Sequence, residues 1–144
     1  MTTLTLSAVL LFGSQQSAEA QQFQRLENIQ ERVAPSYIPT RCAALHQAIM
    51  EWGGETQLGS ELWRQTDELR SNFIVVAALL AQQSQGGTIE QVINSIVRDV
   101  RNISDIYLDR FEQNYAVTGQ ALDGDEVITS DLQYCRFAAE ALSR

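Results

Sequence analysis

Cys42 and His46 stand four positions apart in TRCAALHQAIMEWGG, residues 40–54, and His46 is the only histidine of the chain. On a helix that spacing brings a thiol and an imidazole to one face, close enough to touch. A histidine that takes the thiol proton leaves a thiolate nucleophile, so the pair has the residue types of a covalent catalyst. The same face carries Leu45, Ile49 and Met50, which turn it toward a core, and no orienting group or oxyanion donor is legible beside it. Cys135, the second cysteine, supplies the alternative. Two cysteines in an exported chain are most simply one disulfide, so Cys42–Cys135 is the expected staple. His46 then lies at a helix–helix seam, where a half-buried imidazole makes it a candidate pH-sensitive group.

Oxygen ligands cluster in Asp123-Gly124-Asp125-Glu126, with Asp131 beyond, and hard cations prefer carboxylates. Counted from Asp123, however, the twelfth position of a calcium loop is Tyr134 in place of a bidentate glutamate. Acids ahead of a helix are also accounted for by capping and the helix dipole, so no metal site and no cofactor are expected. Carboxylate pairs of the kind that cleave sugars need a separation that sequence cannot supply; Glu51 beside Trp52 is the one singled out. Trp52 and Trp63 flank a glycine-bearing loop. With Asp123, Asp125 and Glu126 they form a candidate recognition surface, since aromatics anchor interfaces. Asn102-Ile103-Ser104 has the form of a glycosylation sequon but falls mid-helix with Ile103 on the apolar stripe.

Composition removes several chemistries outright. All ten basic residues are arginine, which excludes Schiff-base catalysis and a phosphate-loop lysine. A single histidine excludes sites built from several imidazoles. The formal charge of −8 opposes binding to nucleic-acid phosphates or to an anionic membrane surface.

The elements that must position these residues read as helices. Apolar residues at 23, 26, 29 and 33 predict a short helix over 23–33, ended by Pro35. A second helix is expected over 39–52, with Pro39 in its first turn and Gly53-Gly54 stopping it. A third begins near Ser60. Its run FIVVAALLA, residues 73–81, is apolar all round and is expected deep in the core. Gly86-Gly87 breaks the chain, and Thr88 with Gln91 has the form of a capping box. The fourth helix is the longest, with Ile89, Val92, Ile96, Val100, Ile103, Tyr107, Phe111 and Tyr115 stepping by three and four. A last helix over 127–143 places Leu132, Cys135, Ala139 and Leu142 on one stripe. The expected fold is all-α: an antiparallel bundle of four main helices plus a short N-terminal helix, carrying one disulfide.

Residues 1–20 read as a signal peptide. LTLSAVLLFG, residues 4–13, is too short to span a bilayer, and Ala18-Glu19-Ala20 is the small-x-small pattern of a cleavage site. The opening MTT lacks the usual positive charge. On this reading residues 21–144 are the single mature domain, periplasmic or secreted, with no stable membrane insertion after cleavage.

Three functions follow. The first is a small exported helical protein that binds another protein, as an accessory, inhibitor, immunity or chaperone-like factor. That architecture resembles small disulfide-linked periplasmic proteins such as acid-stress chaperones, though no motif carries functional residues across. The second is a bundle holding a small apolar ligand against Phe73, Val76, Ile96 and Val100. The third is an enzyme using Cys42/His46 or a carboxylate pair.

Overall fold

The computed structural model describes residues 23–142; the signal peptide expected over residues 1–20 lies outside them. Five helices follow in order: α1 (Leu26–Ile29), α2 (Tyr37–Leu58), α3 (Ser60–Gln85), α4 (Ile89–Thr118) and α5 (Glu126–Leu142). No strand occurs among the described residues. The molecule is an antiparallel helical bundle in which α2 is central, packed by α3, α4 and α5, while α1 lies against α5.

Local chemistry explains the boundaries. Thr88 and Gln91 form the capping box that their spacing predicts: the Thr88 hydroxyl accepts from the Gln91 amide at 3.3 Å, and the Gln91 side chain accepts from the Thr88 amide at 3.3 Å. This satisfies two of the orphan donors at a helix start. At 30 residues, α4 is about 45 Å long and serves as the spine. Gly119, at φ 74°, closes it in the left-handed conformation and donates to the Tyr115 carbonyl, as helix ends commonly require.

Two expectations are corrected, and a third is refined. The N-terminal helix is not 23–33 but only Leu26–Ile29. So short a segment forms too few internal hydrogen bonds to propagate, and it is held by its buried Phe23, Leu26 and Ile29. Gly53-Gly54 interrupts the helix as expected, so α2 is two helical segments joined at a kink. Gly54 takes φ 60° and ψ 169°, after which helix resumes to Leu58. Leu58 folds back over Gly53, where a Cβ would come within 2.9 Å of its side chain. The FIVVAALLA run is buried on one face only. Phe73, Ala77, Ala78 and Ala81 face the core, whereas Val75 and Leu79 are 55% and 50% exposed. With α2 and α4 packed against it, α3 keeps an outer face in solvent however apolar its sequence.

Candidate functional site

Cys42 of α2 and Cys135 of α5 form a disulfide with Cα atoms 5.5 Å apart. Both residues are buried. A bonded sulfur has no thiolate, so the Cys42/His46 nucleophile is ruled out by the bond itself. His46 instead turns its Nδ1 to the Cys42 carbonyl oxygen at 2.7 Å. A carbonyl only accepts, so Nδ1 carries the hydrogen. The ring tilts against Phe73 with centroids 5.7 Å apart. Burial lowers the His46 pKa below its ordinary value, with the bond to the Cys42 carbonyl acting in the opposite direction.

One residue before Cys42 lies the most unusual group in the protein. Arg41 is a fully buried arginine, and a buried charge is tolerated only when it is paired and hydrogen-bonded. Its Nη2 donates to Asp131 Oδ2 at 2.5 Å and its Nε to the Tyr107 hydroxyl at 3.0 Å. Tyr107 donates in turn to Asp131 Oδ2 at 2.5 Å, and the Leu26 amide donates to Asp131 Oδ1 at 2.8 Å. One carboxylate therefore joins α1, α2, α4 and α5. Phe23 lies over the guanidinium, 4.3 Å from its ring centroid, and meets Tyr107 edge-on at 4.8 Å. Burial disfavours the arginine's charge, but Tyr107 and Asp131 outweigh it and hold its pKa above the ordinary value. The Tyr107 phenol is pushed well up, chiefly by burial. None of the three is open to a substrate: the constellation is sealed and acts as a clasp.

A second link sits at the start of α5. Asp125 accepts from Arg110 through both oxygens, at 2.9 and 2.7 Å, and caps α5 by accepting from the Val127 and Ile128 amides at 2.9 and 3.1 Å. Burial opposes its ionisation; Arg110 and the two amides prevail and lower its pKa. Glu126 pairs with Arg25 at 2.9 Å, while Asp123 is exposed. Among the described residues no acidic, cysteine and histidine group is placed to hold a metal ion.

The two tryptophans have different surroundings. Trp52 packs edge-on against Phe111 and Tyr115, with centroids 6.1 and 5.9 Å apart. Trp63 is half-buried in a shallow cleft with Met50, Glu51 and Arg70. Glu51 accepts from Gln47 at 2.8 Å and has no second carboxylate among the residues lining that cleft.

The four residues named for an apolar ligand divide. Phe73 and Val100 are packed in the core and Val76 is half-buried, while Ile96 lines a groove of about 420 Å³. This groove lies where the start of α2, the end of α3 and the first half of α4 converge. Ala81, Val92, Ile96 and Ile103 form its apolar floor. Tyr37, Gln85, Asp99 and Asn102 stand around it.

Sequence reading missed Arg41 altogether and weighed Asp131 only as a carboxylate beyond the acidic 123–126 loop. Both carried a signal. Asp131 falls three residues after Ile128 and four before Cys135, inside the apolar stripe of α5. Arg41 falls three after Ile38 and four before Leu45. A lone charge inside a stripe asks for an opposite charge inside another. No family model, curated protein or solved structure matches this chain.

Proposed function

We propose that this chain is a small exported protein that binds another protein through the outer face of its α3–α4 hairpin. The observation that carries the reading is the exposure of Val75 and Leu79 on successive turns of α3, with Ile93 and Val97 on successive turns of α4 also exposed. Large aliphatic side chains left in solvent on successive turns of both helices support a contact surface there. The disulfide supports export, because such bonds persist in oxidising compartments. The leader pattern over residues 1–20 supports it from the sequence side. Among the described residues no helix is long and apolar enough to cross a membrane. The charge of −8 favours a partner with a basic surface, through the steering of opposite fields.

Two measurements test this. Intact mass of the exported protein should begin at Gln21 and be two hydrogens light; a full-length mass with two thiols would remove the export reading. A photo-crosslinker placed at Leu79 should capture one defined protein, lost when Val75→Glu is added in the same chain. The same probe at Trp63 tests the alternative surface of Trp52, Trp63 and the 123–126 loop. Capture there and not at Leu79 would move the contact to that side.

A further inference from the structure

We propose that the groove at the Gly86-Gly87 end of the hairpin is a binding site for a small amphiphilic amine, its apolar body on the floor and its ammonium group at Asp99. The site goes beyond the protein-binding reading and does not depend on it.

The volume and lining suit a small molecule. About 420 Å³ lies within the range of ligand sites, which combine an apolar surface with a few convergent polar groups. Ala81, Val92 and Ile96, all buried or nearly so, supply the first. Gln85, Asp99 and Asn102 supply the second, from two helices, and none of the three side chains has a hydrogen bond or ion pair among the described residues. Gln85 and Asn102 are exposed, so the lack of a partner is unusual only at Asp99, which is half-buried. The other half-buried acids of the bundle, Asp67 and Asp125, each have an arginine.

Charge selects the ligand. Asp99 is the one ionisable carboxylate or base lining the groove, and it is half-buried beside the apolar floor. Of its sequence neighbours, Arg101 is exposed with no ion pair among the described residues, and Arg98, exposed and not lining the groove, donates to Oγ of the lining residue Ser95 at 3.2 Å. A protonated amine gives the carboxylate a charge-assisted hydrogen bond, and the amide oxygens of Gln85 and Asn102 can accept its remaining protons. A carboxylate ligand would meet repulsion at the same point, and a neutral alcohol would gain only the floor.

Hexylamine, hexanol and hexanoate carry the same apolar chain and differ at the head, so they separate the two contributions. Titrated into the full protein and followed by NMR, hexylamine should saturably shift the side-chain amides of Gln85 and Asn102 and the methyls of Ile96 and Ile103. Hexanol should bind about tenfold more weakly, and hexanoate not at all. Asp99→Asn should weaken hexylamine about tenfold while leaving Tm and hexanol binding unchanged. Ala34→Trp, which fills the groove from an exposed loop position, should abolish binding of all three. The proposal is overturned if hexylamine shifts none of these resonances, if the shifts centre elsewhere, or if Asp99→Asn leaves hexylamine affinity unchanged.

Discussion

Helices α3 and α5 are held to the bundle by different physics. Among the described residues, every side-chain hydrogen bond of α3 stays within α3: Arg64 with Glu61 and Glu68, Gln65 with Glu61, Thr66 with the Leu62 carbonyl, Arg70 with Asp67, and Ser84 with carbonyls one turn back. What attaches α3 is apolar burial of Phe73, Ala77, Ala78 and Ala81. By contrast, α5 reaches outward along its first three turns. Asp131 joins three other helices, Tyr134 donates to Gln30 at 2.8 Å, and Cys135 is bonded to α2. Burial without directional bonds tolerates sliding and leaves a face for others; directional bonds fix one geometry. The difference leaves α5 tied to the bundle by directional bonds and α3 held by apolar packing with an exposed outer face.

Cutting the covalent link should have the largest effect. The disulfide spans a sequence separation of 93, and restricting so long a loop in the unfolded chain is worth about 4–5 kcal/mol on the chain-entropy argument. Cys42→Ser combined with Cys135→Ser should lower stability by that order in urea unfolding. Hydrogen exchange should then show α5 amides opening first, whereas in the bridged protein the α3–α4 hairpin opens first. A loss below about 1 kcal/mol would mean that the polar clasp alone fixes α5.

Breaking the clasp comes next. Asp131→Ala leaves Arg41 charged, buried and unpaired, which costs about 3–5 kcal/mol, or a fall in Tm of roughly 10–20 °C. The double variant Arg41→Met with Asp131→Leu should recover much of that loss, because an apolar pair no longer strands a charge. If the single and double variants are equally unstable, the network contributes packing rather than charge compensation.

Part of this contrast was legible in the sequence, and what was missed has two causes. Helical periods, the Thr88/Gln91 box and the Cys42–Cys135 pairing are local or count-based signals, and the structure bears them out. The clasp is made by residues 66 and 90 positions apart in sequence, and nothing local says that Arg41 and Asp131 meet. The outer face of α3 was hidden for the opposite reason. FIVVAALLA has no polar residue to mark which side faces water, so its exposure is set by where α2 and α4 stand.

A smaller effect follows from His46, which lies where α2 meets Phe73 of α3. Its pKa is lowered in the folded protein by burial, whereas in the unfolded chain it takes a proton near pH 6.5. Below that pH the unfolded state binds more protons, so stability present above about 6.5 is lost as pH falls through the folded value. Urea midpoints measured at pH 7.5, 6.5 and 5.5 should decline in the parent and stay flatter in His46→Gln. Asp125 does not confuse the test, because its lowered carboxylate pKa places its own contribution at more acidic pH. Equal declines in both proteins would remove His46 as the pH-sensitive group.

The least effect is expected at the most visible ion pairs. Arg64 reaches Glu61 at 3.0 Å and also pairs with Glu68, but all three side chains are mostly exposed. Water and salt screen such pairs, and holding long side chains in place offsets what attraction remains. Arg64→Ala should therefore leave the urea midpoint unchanged within error, at low salt and at high. Where a bond leads matters more than its length: these pairs connect α3 only to itself. A measurable loss in Arg64→Ala, removed by raising the salt, would show that α3 does draw on electrostatics and would narrow the contrast with α5.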